Sequence, residues 1–260
     1  MRNTQKIIVA ALAIMVLTVP AMAKDWKTIK IGTEGAYPPF NSIDSNKQLV
    51  GFDIDIGRAL CKQMQAECSF VAQDWDGIIP ALDAGKFDAI VASMSITEER
   101  KKKVDFTDKY YNTPASFIAP KKTPLPDPSP AAMKGKTIGA QSSTTHATYL
   151  EDVYKPAGAT IKLYPTQDEA NLDLASGRLD AVLADKVVLL EWLGKSKDGE
   201  CCGFVGKDIK EVKWFGEGAG IAVRKADTDL KTQLNAAIAA IIANGEYKKI
   251  NDKYFPFSVY

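Results

Sequence analysis

Histidine occurs once in this 260-residue chain, at His146, and cysteine only four times. One imidazole cannot build a histidine-rich metal centre, and a Ser-His-Asp relay would have to run through that single residue. Cys61 and Cys68 flank a six-residue stretch, while Cys201 and Cys202 are adjacent, and neither spacing suits a tetrahedral zinc site. Charge of one sign is also missing, with 33 basic residues against 32 acidic ones. There is therefore no basic footprint for nucleic acid or an anionic membrane surface. Gly216-Glu217-Gly218-Ala219-Gly220 lacks the spacing and the following helix of a nucleotide site. No catalytic group, metal or cofactor is expected.

Long apolar runs are absent too. The longest, Ile7 to Val19, falls short of the roughly 18 residues that a spanning helix needs. It follows Arg2 and Lys6 and ends in Ala21-Met22-Ala23, the pattern of a secretory signal peptide cleaved after Ala23. No cysteine follows that site to carry a lipid, so the mature chain is expected free in the periplasm of a Gram-negative cell. Removing Arg2 and Lys6 leaves 31 basic residues against 32 acidic, a formal charge of −1. An oxidising compartment favours a disulfide between Cys61 and Cys68. Cys201 and Cys202 stay open between a strained bridge and two thiols.

What is present is an alternation of strands and helices. Ile29 and Ile31 lead as a strand into Gly32-Thr33-Glu34-Gly35, and Pro38-Pro39 forbids a helix there. A helix begins near Phe52, with Asp53 and Asp55 favoured in its first turn. A strand over 69–72, a short helix over 77–84 and a buried strand over 87–92 follow, giving β-α-β-α-β. Leu82 to Ala92 is then echoed by Leu174 to Ala184: each reads helix, Gly stop, basic residue, strand. Such an echo implies two similar α/β lobes. Ligands of open α/β sheets bind beyond the carboxyl ends of strands, and the residues there are Ser93, Ser95 and Asp185. Five prolines between Pro120 and Pro130 predict an exposed connection near a lobe boundary. A strand over 136–140, a polar turn over 141–144 and a helix from Thr145 open the second lobe, in which His146 is expected half-exposed. The C-terminal amphipathic helix over 230–243 is expected to return to the first lobe.

Four stretches carry a resemblance: Gly32-Thr33-Glu34-Gly35-Ala36-Tyr37-Pro38-Pro39-Phe40, Gly51-Phe52-Asp53-Ile54-Asp55, Ala92-Ser93-Met94-Ser95-Ile96-Thr97-Glu98-Glu99-Arg100 and Gly177-Arg178-Leu179-Asp180-Ala181. Together they resemble the polar amino-acid-binding proteins of ABC importers, nearest to the lysine/arginine/ornithine-binding and histidine-binding branch, in which the Cys61/Cys68 spacing also recurs. The resemblance implies a two-lobe (type II) periplasmic binding fold, each lobe a mostly parallel sheet flanked by helices, with two hinge crossings. Lobe one would hold 24–112 and 216–260, and lobe two 115–211. It also implies a monomer that closes on a basic L-amino acid and delivers it to a membrane permease.

A zwitterion entering a dry cleft needs both charges neutralised. By the resemblance, Arg100 would take the α-carboxylate as a planar two-pronged donor, helped by backbone N–H groups at Ser143 and Thr144. Asp185 would receive the α-ammonium with Ser95 or the carbonyl of Ser93. Tyr37 and Trp75 would wall the side-chain pocket, and Glu34 would meet the distal cation. Ala92 stands where relatives place a serine and Ala140 where a bulky apolar residue is common, which implies a roomier pocket. That admits an opine or another guanidino compound as an alternative ligand. A periplasmic dehydratase sharing the architecture is a further alternative.

Overall fold

The computed structural model describes residues 24–260 except 124 and 126. The signal-peptide stretch 1–23 lies outside the described residues. The first lobe starts with β1 (Thr28–Thr33), a small sheet of β2 (Ala36–Tyr37), β3 (Asn41–Ile43) and β4 (Leu49–Val50), and α1 (Phe52–Gln63). There follow β5 (Glu67–Ala72), α2 (Ile78–Asp83), β6 (Ala89–Ile90), α3 (Glu98–Lys101) and β7 (Asp105–Tyr111). The second lobe has β8 (Ala115–Pro120), β9 (Thr137–Gln141), α4 (Thr145–Tyr149), β10 (Thr160–Tyr164), α5 (Gln167–Ala175), β11 (Ala181–Asp185), α6 (Lys186–Lys195) and β12 (Cys202–Ile209). After α7 (Val212–Phe215) the chain returns as β13 (Ala219–Val223), α8 (Thr228–Ala243) and α9 (Glu246–Tyr254).

Two five-stranded sheets result, in the orders β5-β1-β6-β13-β7 and β10-β9-β11-β8-β12. In each, four strands run one way and the fourth in order runs against them: β13 is antiparallel to β6 and β7, and β8 to β11 and β12. The reversed strand of each sheet is the one that has just crossed from the other lobe. Helices cover both sheets because parallel strands are buried on two faces. Ile29, Ile31, Phe52, Ile56 and Leu60 share one core with Leu230, Leu234, Ile238 and Ile241 of α8, so the C-terminal helix closes the first lobe.

Local signals explain most of these elements. Both echoed helices stop at a glycine in the left-handed region, Gly85 at φ 73° and Gly177 at φ 78°, where a Cβ would be strained. Thr166 caps α5 in a full capping box with Glu169. Cys61 of α1 and Cys68 of β5 form a disulfide, and Cys201 is bonded to Cys202.

Two expectations need correction. The strand anticipated over 87–92 pairs only at Ala89–Ile90, because the chain turns out of the sheet toward Ser93, whose φ of 55° no strand accommodates. The proline-rich segment joins β8 to β9 inside one sheet rather than marking a lobe boundary.

Candidate functional site

The cleft between the lobes is built from strand ends. Glu34 and Tyr37 follow β1, Ala92, Ser93 and Ser95 follow β6, Gln141 ends β9 and Asp185 ends β11. With Trp75, Arg100, Thr144, Thr145 and His146 they line one cavity. The room left is about 20 Å³, space for about one water. An amino acid enters only if the lobes part.

Asp185 precedes α6 as its N-cap residue, yet its carboxylate caps nothing. It turns into the cleft, accepting from Tyr37 Oη at 2.8 Å across the lobes and from Thr113 Oγ1 of the hinge at 3.2 Å. Burial and Asp185 together hold the Tyr37 phenol well above its ordinary pKa. Arg100 donates to the carbonyls of Ser95, at 3.1 Å, and Ser143, at 3.2 Å, and stacks 5.2 Å above the Trp75 ring. Burial lowers its pKa to about 10, with Asp185 and Tyr37 opposing, so it remains a cation at neutral pH.

Glu34 lies at another part of the wall. Its Oε1 accepts from Gln141 Nε2 at 2.6 Å, while the same amide nitrogen donates to the Pro165 carbonyl at 3.0 Å. Burial raises the Glu34 pKa to about 7; the Gln141 hydrogen bond opposes that, and Asp74 and Asp76 add to it. A carboxylate this reluctant to ionise gains most from an incoming cation.

Ser93 is held from behind. Its hydroxyl donates to Asp53 Oδ2 at 2.9 Å and its N–H to Tyr110 Oη at 3.0 Å, while Asn41 and Tyr110 also donate to Asp53. This network sustains the left-handed backbone of Ser93. Ser143, at φ 57°, is the corresponding residue beyond β9. Its carbonyl accepts from both Trp75 Nε1 and Arg100, and Ser142 Oγ bonds Asp76 at 2.9 Å. Thr144 caps α4 by accepting from the Ala147 N–H.

The structure thus gathers Glu34, Tyr37, Trp75, Ala92, Ser93, Ser95, Arg100, Thr144 and Asp185 around one cavity, with Ser143 bridging at its edge. Ala140 is a correction. Alternation along β9 turns it into the second lobe's core, with Phe117 and Leu183, and brings Gln141 to the cavity instead. His146, expected half-exposed, is also corrected: it is 5% exposed and faces the cleft. Gln141 and Thr145 were not anticipated, although the polar turn 141–144 marked the neighbourhood.

Two lobes of like topology around a charged interlobe cleft are the architecture of the solute-binding proteins. The chain belongs to the bacterial extracellular solute-binding proteins, family 3, whose pattern matches residues 29–257. It is 50% identical over 253 residues to an L-arginine-binding protein of Pseudomonas aeruginosa, covering 97% of each chain. With the lysine/arginine/ornithine-binding periplasmic protein of Escherichia coli it shares 40% over 234 residues, 90% of each chain. The structure of an ancestral arginine-binding protein bound to arginine superposes with a TM-score of 0.81 at 38% identity, covering 88% of this chain and 98% of that one.

Proposed function

We propose that this chain captures a basic L-amino acid in the periplasm, without converting it, and presents it as a monomer to the permease of an ABC importer. The observation that carries the reading is the sign pattern around one cavity. Arg100 offers a cation for an α-carboxylate, Asp185 an anion for an α-ammonium, and Glu34 a second buried anion for a cation on the side chain. A neutral side chain would forgo the attraction of Glu34 and an acidic one would meet it with like charge, which disfavours those ligands. The relatives named for arginine, and for lysine, arginine and ornithine, support the same class. Domain closure, with 24–112 and 216–260 moving against 115–211, would seal these charges from water. Export and cleavage after Ala23 would deliver the mature chain.

A second reading rests on a groove of about 1110 Å³ that adjoins the cavity and shares Trp75, Arg100, Thr144 and Thr145 with it. That space suits a substituted guanidino compound such as an opine. Titration calorimetry of ligand-stripped protein against arginine, lysine, ornithine, histidine, citrulline and an opine separates the readings. Binding of the basic amino acids over citrulline by at least about tenfold, or roughly 1.4 kcal/mol, is the expected result. Equal affinity for citrulline would overturn it. Recovery of the amino acid unchanged after long incubation tests the absence of catalysis.

A further inference from the structure

His146 carries an observation that the charge pattern leaves unused. Its imidazole is buried at 5% exposure against the Phe215 ring, 5.4 Å between centroids, and its Nε2 has no hydrogen-bond partner. Asp185 Oδ1 stands 3.9 Å away, too far for a hydrogen bond. The same nitrogen-bearing ring lines the cavity beside Asp185. Leaving a buried polar nitrogen unpaired costs stability, and one that faces a binding cavity can be satisfied by a group that enters it.

The chemistry of an α-ammonium supplies that partner. It brings three N–H donors, and Asp185 already accepts from Tyr37 and Thr113. We propose that His146 is a ligand-contacting residue, whose neutral Nε2 accepts a hydrogen bond from the α-ammonium of the bound amino acid beside Asp185. The inference rests on the amino-acid-binding reading and adds a residue to it. The groups facing His146 favour the neutral ring. Burial lowers its pKa and Arg100 of α3 adds to that, while Asp185 of β11 opposes. From α7 the uncharged Phe215 packs against it, and Tyr37 and Glu34 are the remaining titratable groups that line the cavity, beside the uncharged Gln141 of β9. Once protonated, His146 becomes a donor and a cation, pairs with Asp185, and competes with the ligand for it. Acidification therefore opposes capture at this end of the ligand as well as at Glu34.

Because His146 is the chain's only histidine, nitrogen-15 spectra of labelled protein read its imidazole without assignment. Saturation with unlabelled arginine, lysine or ornithine at pH 7.5 should move the Nε2 resonance. It should also lower the imidazole's titration midpoint by about one pH unit or more, a tenfold fall in proton affinity. His146→Leu should weaken all three amino acids by about tenfold. His146→Gln, whose amide oxygen can accept in place of Nε2, should restore most of the affinity. It should also abolish the acid-induced loss for citrulline, which offers Glu34 no cation. Calorimetric saturation with an unmoved imidazole overturns the role of His146 alone. Absence of heat with all three amino acids overturns the amino-acid reading and this inference together. If His146→Leu fails to fold, the wild-type spectra still decide.

Discussion

The echoed segments 82–92 and 174–184 behave alike until their strands end, and then they part. In each, a left-handed glycine stops the helix, and an aspartate three residues on fastens the neighbouring strand. Asp88 donates its N–H to the Lys30 carbonyl and accepts the Lys30 N–H on Oδ2 at 3.0 Å. Asp180 does the same with Thr137, at 2.8 Å. Beyond the strands, the first lobe turns through Ser93 into the short α3 with Arg100, whereas the second runs straight through Asp185 into α6. Repetition thus makes the scaffold, and divergence past the strand end makes the chemistry. Function in such a fold is placed where the copies cease to agree.

That division can be broken most sharply at Asp185. Asp185→Asn should weaken every α-amino acid by about 3–5 kcal/mol, because the ligand's buried ammonium loses its counter-charge. Ser93→Ala, at the matching place in lobe one, should cost affinity far less, since its hydroxyl faces Asp53 and not the ligand. Calorimetry of both variants checks this. The disulfides give a second contrast. Replacing Cys61 and Cys68 by serine should cost about 2–3 kcal/mol in denaturant unfolding, whereas the same change at Cys201 and Cys202, which enclose no intervening residue, should cost much less in the loop-entropy model.

Glu34 tests whether lobe one selects the side chain while Asp185 holds what all amino acids share. The arginine-versus-citrulline preference should fall by about 1.5–3 kcal/mol in Glu34→Gln, read as a coupling energy. In the wild type, Glu34 with its pKa near 7 is partly protonated in the empty cleft, and a bound guanidinium favours the ionised form. Arginine affinity should therefore rise from pH 6 to 8 and level off above, and Glu34→Gln should remove that rise. Folding of the empty protein moves the other way. A carboxyl whose pKa is raised on folding binds more protons in the native state, so its contribution is lost as pH rises from about 4.5 through about 7. The smallest contrast lies in the scaffold. Asp88→Asn should destabilise by about 1–2 kcal/mol and Asp180→Asn by roughly half of that. Asp88 also holds the largely buried Arg224, while Asp180 pairs with the more exposed Lys136. Urea unfolding of the two variants would show equal losses if the lobes were energetically equivalent.

Much of this architecture was legible in the sequence because its signals are local. Gly85 and Gly177 announce their helix stops, and the echo around them announces two lobes. The cavity residues Glu34, Tyr37, Trp75 and Arg100 came mainly from the family resemblance, since spacing alone allows Arg100 to be a solvated member of a charged run, whereas the strand-end rule already pointed to Asp185. What stayed illegible depends on parity and on the opposite lobe. Whether Ala140 or Gln141 reaches the cleft is a one-residue question of strand register, which reverses every side chain. His146 looked like an ordinary helical position because nothing in its own stretch reveals Phe215 and Asp185 arriving from other elements.

The exchange of reversed strands also orders events in time. The second lobe's strands β8 to β12 are contiguous in the chain, but in the first lobe β13 must sit between β6 and β7. A polypeptide emerging amino end first therefore carries β7 for more than a hundred residues with its place beside β13 vacant. The lobe that begins the chain is the last whose sheet can be completed, and its closing strand arrives only after the other lobe is available to fold. Placing β13 is thus the most non-local pairing of that sheet, and the entropy of closing so long a connection is met before the strand's contacts repay it.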